Sequence, residues 1–580
     1  MINLTWKIGG EAGFGIMTTG HMFSKIAVKH GYKIFDYIEY PSLIRGGHNV
    51  YEVRVSDEEI YSQEKKVDFL FALNKETYDL HKEEVREGGI IVYNSDNFKL
   101  NTGEKERNVA IYSLPLSKII SDIGAQKVME NNVALGATIA ILSMEINALY
   151  LIIESIFRKK GQEVIDKNKE AAKAGYEYVT KNPPDGFDHK LLPRKAEPQI
   201  IATGNEAAGM GAFVGGCQFF VAYPMTPSSA LLHIMAMYGE KYGVVVKHAE
   251  DEISVMNMAI GASYAGARSM IGTAGGGFSL MVEGLGLAGI TETPVVVMVG
   301  QRPGPATGMP TWTSQGDLQF VIHAAQDEFP RIVLTPGDIN EVFWLTAEAF
   351  NLAEIYQTPV FILTDKYLLE SHASVPVFEL NQVKINRGKL ISFEEGDIAE
   401  NYLRYKVTED GIPKRALPGM KKALFIANSY EHDEYGWSTE DPKERVRQVD
   451  RRARKLETFK KTISKQNVYG DTVADLSIVA WGSTKGPVLQ AMKDIKGRSD
   501  KIKVNFLHIT HAWPFPADCV GDFLMKAKRT MIIESNSYSQ MGLLIREQTG
   551  FDIKNKYLKY DGRPFYPEDI QNKIMEVINL

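Results

Sequence analysis

Between residues 200 and about 375, short β-branched runs recur between helical stretches: Gly243-Val-Val-Val246, Pro294-Val-Val-Val-Met-Val299 and Pro359-Val-Phe-Ile-Leu-Thr364. Runs this continuously apolar belong to strands buried on both faces, so helices must cover the sheet above and below. That arrangement predicts a parallel α/β sheet, whose ligands sit at the carboxyl ends of the strands. Residues directly following each apolar run are therefore the first place to look for chemistry.

With 580 residues the chain exceeds what one hydrophobic core serves, and three or more domains are expected. The fold class is α/β and multi-domain. A first block, 1–182, opens with a strand, the glycine-rich Gly9-Gly-Glu-Ala-Gly-Phe-Gly15, an amphipathic helix and a second strand, which reads as a βαβ start. A Pro-rich polar passage at 183–199 reads as a linker. The alternating block at 200–385 follows, then a connecting segment at 386–470 that is poor in apolar periodicity. A small α/β domain at 471–580 starts with Leu476-Ser-Ile-Val-Ala-Trp481. The charged run from Asp441 to Lys461 is expected to be a solvated helix face.

Composition narrows the function. The 72 acidic and 66 basic side chains give a net charge of −6, so nothing steers the whole chain toward nucleic acid or an anionic membrane. The two cysteines, Cys217 and Cys519, cannot supply the four thiolates of an iron–sulfur cluster. The start, Met1-Ile-Asn-Leu-Thr-Trp6, lacks a basic and then apolar leader pattern, and no apolar run approaches about 18 residues. A soluble cytoplasmic protein is expected. His508 and His511 have no third ligand at a telling distance and are expected to be packing groups.

Gly9 to Gly15 invites a dinucleotide reading, with Asp36 about 20 residues on as the ribose acid. Its glycines fall as G-G-x-x-G-x-G rather than G-x-G-x-x-G, so a plain strand-to-helix turn and a contact with another phosphate-bearing ligand stay open. An NAD-dependent dehydrogenase is the corresponding alternative function.

In the alternating block, Tyr223-Pro-Met-Thr-Pro-Ser-Ser229 follows the apolar run 219–222. Two prolines stiffen the turn around Thr226, and Thr226 to Ser229 are candidates to cap the next helix. Glu252 heads a helix dense in small and apolar residues. It is either a helix-start acid favoured by the macrodipole or a buried carboxylate suited to sharing a proton with a heterocycle nitrogen. Gly272-Thr-Ala-Gly-Gly-Gly277 bares backbone to a flat ligand. Arg302 follows the strand-like run 294–299, either to take a carboxylate or to form an internal ion pair.

The ordered set of Tyr223 to Ser229, Asp251-Glu252, Thr273 to Met281 and Gly300-Gln-Arg-Pro-Gly304 resembles the α subunit of the 2-oxoacid:ferredoxin oxidoreductases. The resemblance is to the form in which a γ domain is fused ahead of the α domain, and it spans nearly the whole chain. Gly9 to Gly15, Tyr40-Pro-Ser-Leu-Ile-Arg-Gly-Gly-His48 and Asn131-Asn-Val-Ala-Leu-Gly136 carry the γ part. Glu431-His-Asp-Glu434, Gly482 to Gly486 and Glu534-Ser-Asn536 carry the later part.

The resemblance implies a γ-type α/β domain, a thiamine-enzyme pyrimidine-binding domain and a transketolase-C-terminal-like domain. It implies oxidative decarboxylation of a 2-oxoacid with coenzyme A, with 2-oxoglutarate as the first choice of substrate and pyruvate or a branched-chain oxoacid as alternatives. Electrons pass to ferredoxin, or the reaction runs in reverse. By position, Glu252 pairs with thiamine diphosphate, with Tyr223, Pro224, Thr273 and Gly277 as further cofactor contacts. Thr226 and Arg302 hold the substrate, and Arg45 is a candidate for a second carboxylate. No Gly-Asp-Gly segment is present. The resemblance therefore implies a separate β subunit bringing the Mg2+ site and a [4Fe-4S] cluster, in an (αβ)2 hetero-oligomer. A noncatalytic assembly subunit is the remaining alternative, in which Glu252 and Arg302 are structural.

Overall fold

The computed structural model describes residues 2–43, 46–100, 108–392, 401–463, 466–498 and 501–579. Two compact units emerge. One comprises 1–202 with 371–377 and 566–570, and the other comprises 203–370, 378–565 and 571–580.

The first unit is built on an eight-stranded mixed sheet. Strand Asn3–Glu11 pairs parallel with Val67–Ala72 and antiparallel with His48–Ser56, which in turn pairs antiparallel with Lys33–Glu39. The helix Ile16–Lys29 joins two strands that run parallel, as the opening predicts, but a third strand is inserted between them. Gly9 and Gly10 lie inside the first strand rather than in the turn. A Cβ on Gly9 would stand 2.6 Å from Thr77 Cγ2, so the bare backbone there admits a neighbouring helix. Asp36 is fully buried and accepts from Tyr51 Oη (2.6 Å) and the His372 amide (2.7 Å). Its carboxylate is committed inside the unit, which removes the acid on which the dinucleotide reading leaned.

Residues 183–198 form no helix or strand. The passage is nonetheless pinned along the first unit by Leu191 N donating to Leu142 O (2.8 Å) and Arg194 N donating to His30 O (2.9 Å).

In the second unit, seven strands lie in the order His511–Trp513, Ile332–Leu334, Pro359–Asp365, Val295–Gln301, Ser269–Ala274, Phe219–Ala222 and Val245–His248. All pair parallel except the first. The apolar runs of the sequence lie in these strands: Val295–Gln301 and Pro359–Asp365, like Ser269–Ala274, are buried along their whole length, whereas Val245–His248, expected to be covered on both faces, is an edge strand and largely exposed, Val245 at 62%. A five-stranded sheet carries Leu476–Trp481, Val504–Ile509 and Thr530–Glu534 at its centre. One core runs through both sheets, with Val297, Phe361, Trp481 and Ile509 fully buried in it. His508 Nδ1 lies 3.5 Å from Glu341, and His511 Nδ1 lies 3.1 Å from Thr510 Oγ1.

The charged run departs from expectation. It forms the helix Pro442–Lys460, capped by Asp441, but its inner face carries Arg451 and Lys455 buried against the Glu292 carboxylate. Arg452 holds both oxygens of Glu431 at 2.9 and 2.8 Å. Those paired cations hold the Glu292 carboxyl well below the usual carboxylate range despite its burial. Buried charge of this kind persists because each ion is paired and hydrogen-bonded.

Helices Glu130–Ile141 and Gln162–Lys181 of the first unit touch backbone to backbone. A Cβ on Gly136 would lie 2.0 Å from Ala172 O, and one on Gly175 would lie 2.1 Å from Val133 O. By helix propensity alone, Gly136→Ala should stabilise the chain by up to about 1 kcal/mol. The contact reverses the sign: a net loss of about 1–3 kcal/mol is expected from overpacking, read from denaturant unfolding of the full chain.

Candidate active site

Four loops leave the carboxyl ends of four neighbouring parallel strands of the seven-stranded sheet. Tyr223 and Thr226 follow Phe219–Ala222, Glu252 follows Val245–His248, Gly275–Phe278 follows Ser269–Ala274, and Arg302 follows Val295–Gln301. The sheet's register thus brings the sequence-predicted residues of this block to one edge, where parallel α/β sheets bind ligands.

Asp251 caps the helix Glu252–Tyr264, its Oδ1 accepting from Ser254 N at 2.7 Å. This leaves Glu252 as the first helical residue, with its side chain turned inward and the residue 4% exposed. Its carboxylate has no side-chain hydrogen bond or ion pair among the described residues. The bare Cα of Gly277 lies against it. A Cβ on Gly277 would stand 2.8 Å from Glu252 Oε1, 3.1 Å from its Cγ and 2.4 Å from Thr273 Oγ1. Gly276 is less crowded, a Cβ there making ordinary contact with Ala306 O at 3.6 Å and Met225 Sδ at 3.9 Å. Gly277 N–H points at Met225 Sδ, 3.1 Å away.

Arg302 answers the alternative left open by the sequence: it forms no ion pair within 4 Å among the described residues. Its Nη1 donates to the Thr226 carbonyl at 2.7 Å, tying the two strand-end loops together. The remaining guanidinium nitrogens donate to nothing among the described residues. Thr226 is half-buried, and its hydroxyl has no partner among the described residues. The expected cap is not made there. The helix Ser229–Tyr242 starts from Ser228, whose Oγ turns back to donate to Met225 O at 2.9 Å. The loop is seated instead by Asn205 Nδ2 donating to Pro227 O (3.1 Å) and by Pro227 packing over the bare Cα of Gly300. Tyr223 and Pro224 are exposed on the outer side. Arg45 lies outside the described residues.

Sequence reasoning missed Asp317. It precedes the short helix Leu318–His323 and looks like an ordinary helix start, yet its side chain caps nothing. A Cβ on Gly275 would lie 2.4 Å from Asp317 Oδ2, so the carboxyl sits beneath the glycine turn. Burial pushes this carboxyl up to about 6, with the Arg302 charge opposing the shift. The loop bearing it is locked by Gln315, which donates to Trp481 O (2.7 Å) and accepts from Ser535 N (2.8 Å). Asn205 and Met225 also escaped notice, because their contacts are made to residues distant in sequence or by backbone groups.

No group of three or more His, Cys, Asp or Glu side chains among the described residues could hold a metal ion. Nor is any helix among them long and apolar enough to cross a membrane.

A strand-end site built from an unpaired carboxylate on a buried residue, a glycine turn and a free guanidinium edge defines a parallel α/β enzyme domain. Comparison with known proteins makes the class specific. Residues 210–451 match the family model described as "Pyruvate flavodoxin/ferredoxin oxidoreductase, thiamine diP-bdg". Residues 5–178 match "Pyruvate ferredoxin/flavodoxin oxidoreductase" and residues 474–570 match "Pyruvate:ferredoxin oxidoreductase core domain II". The 2-oxoacid:ferredoxin oxidoreductase subunit alpha of Sulfolobus sp is 34% identical, over 100% of this chain and 97% of its own length. The 2-oxoglutarate synthase subunit KorA of Methanothermobacter thermautotrophicus is 31% identical over 65% of this chain and 99% of its own. The solved 2-oxoglutarate:ferredoxin oxidoreductase from Magnetococcus marinus, with 2-oxoglutarate, coenzyme A and succinyl-CoA bound, is 32% identical with a TM-score of 0.93 over the whole of both chains. The chain belongs to the 2-oxoacid:ferredoxin oxidoreductase alpha-subunit family, oxidoreductases with ferredoxin as acceptor.

The raised Asp317 carboxyl has a pH signature. Its folded value of about 6 exceeds the unfolded value of about 3.9, so the native state binds the proton more tightly and stability falls as pH rises between the two. Asp317→Asn removes that penalty. Relative to the wild type it should gain about 2–3 kcal/mol between pH 4 and pH 7, read from paired unfolding curves. A difference that stays constant across that range contradicts the assignment.

Proposed function

We propose that this chain is the alpha subunit of a 2-oxoglutarate-type enzyme, with a γ-type domain fused ahead of the pyrimidine-binding domain. Its reaction is the coenzyme A-dependent oxidative decarboxylation of 2-oxoglutarate to succinyl-CoA, with electrons passed to ferredoxin, or the reverse carboxylation. The carrying observation is Glu252: a buried residue whose carboxylate is unpaired among the described residues and lies against the bare Cα of Gly277, at the strand-end edge that also carries Thr226 and Arg302. The order of the family matches, 5–178 before 210–451, supports the fused arrangement. The full-length likeness to the Magnetococcus marinus enzyme favours 2-oxoglutarate over pyruvate.

The residues present fit thiamine diphosphate. When bound, that cofactor supplies the carbon nucleophile and the electron sink that decarboxylation of a 2-oxoacid needs. In this reading Glu252 would hold the proton at N1′ of the aminopyrimidine. Thr273 and Gly277 shape the ring's bed, and Tyr223 and Pro224 border it. Arg302 presents its free nitrogens to the substrate carboxylate while its Nη1 stays on the Thr226 carbonyl. The Thr226 hydroxyl orients the keto oxygen. Arg45 is the candidate cation for the distal carboxylate.

In the same reading a β subunit brings the Mg2+-diphosphate site and the [4Fe-4S] cluster in an (αβ)2 assembly, since the two cysteines here cannot supply four thiolates.

Two outcomes test this in the complex co-expressed with its β subunit. Glu252→Gln should lower turnover by at least about 100-fold with the complex intact, the scale of a lost acid–base group. Unchanged turnover would leave Glu252 structural and the assembly-subunit reading standing. In the wild type, 2-oxoglutarate should be the preferred substrate; a clear preference for pyruvate would overturn the substrate choice while leaving the site intact.

A further inference from the structure

The seven-stranded sheet has a second polar edge, at the opposite end of its strands. Arg302 follows the carboxyl end of Val295–Gln301, whereas Arg331 precedes the amino end of Ile332–Leu334 in the same parallel sheet. Beside Arg331 lies a cavity of about 400 Å3, within the range that takes small organic ligands. Its walls include Ile322, Phe329, Leu456, Trp513 and Phe515.

Arg331 is 3% exposed. Its Nη1 donates to Val321 O (3.1 Å) and Ala324 O (2.6 Å) at the end of the helix Leu318–His323, and its guanidinium lies 4.2 Å from the centre of the Phe329 ring. Nε and Nη2 donate to nothing among the described residues. Those two nitrogens form the edge that grips a carboxylate side-on with two parallel hydrogen bonds.

The other charges lining the cavity are mostly matched. Asp327 pairs with Arg445, Glu457 with Lys460 at 2.9 Å, and Arg452 with Glu431 at 2.8 Å. Glu328 is exposed at the rim. Burial lowers the Arg331 guanidinium to about 10, with no acid close enough to offset it. A buried cation without a counter-ion is costly, and the fold retains this one beside a hollow with aromatic walls at Phe329, Trp513 and Phe515 and charged residues among its lining.

We propose that this cavity binds a small monocarboxylate with a flat apolar body, whose carboxylate is taken by the Nε–Nη2 edge of Arg331 and whose ring packs among Phe329, Trp513 and Phe515. The site lies at the far edge of the sheet from Glu252 and stands independently of the catalytic reading.

Calorimetric titration of the full chain with indole-3-acetate tests it, with the neutral indole-3-acetamide as control. The acid should bind at least about tenfold more tightly than the amide, the loss expected for a missing charge-assisted pair. Arg331→Met should abolish that preference. Leu456→Trp, which fills the hollow and keeps the cation and its helix-end contacts, should abolish binding of the acid with the melting temperature retained. Equal binding of acid and amide, undiminished binding to Leu456→Trp, or no binding at millimolar concentrations would each overturn the proposal.

Discussion

Where the Cα of Gly277 meets the Glu252 carboxylate, no side chain larger than hydrogen fits. That contact depends on the strands beneath it. The glycine turn ends one strand, the acid starts the helix after a strand two places away, and their shared neighbour Phe219–Ala222 carries Thr226. Only a parallel sheet delivers three such loops to one edge in register. Arg302 then closes the group by bonding the Thr226 carbonyl rather than a carboxylate, so its positive charge remains available.

How the second unit treats its other buried acids makes Glu252 stand out. Glu292 is held by Arg451 and Lys455. Glu354 gathers Arg268, Arg387 and Arg415. Glu534 accepts from Trp481 Nε1, Asn536 Nδ2, Ser539 Oγ and the amides of Met541 and Gly542. Glu252, 4% exposed, has no such partners among the described residues, which sets it apart from these three and suits it to a ligand. Asp317, half-buried beneath the same turn, likewise has no side-chain partner among the described residues for its carboxyl, which desolvation pushes up to about 6.

Much of this was legible in the sequence because the determinants are local. Apolar runs flanked by helices specified parallel strands, and Thr226 and Arg302 could be placed because each lies just beyond such a run. The misses share one cause, which is pairing over long chain distances. The charged helix Pro442–Lys460 reads as solvated until Glu292, far back in the chain, is seen to receive Arg451 and Lys455. Asp36 matches a ribose acid by spacing, yet Tyr51 and His372 consume it. Asp317 resembles a helix cap, and only the fold sets it under Gly275.

Hydrogen–deuterium exchange at C2 of thiamine diphosphate bound to the assembled complex probes Glu252 most directly, because it reads proton transfer at the cofactor without substrate, coenzyme A or ferredoxin. Exchange should be fast in the wild type and at least about 100-fold slower in Glu252→Gln at full cofactor occupancy. Equal exchange in the two proteins would show that the buried carboxylate is not the group that activates the cofactor.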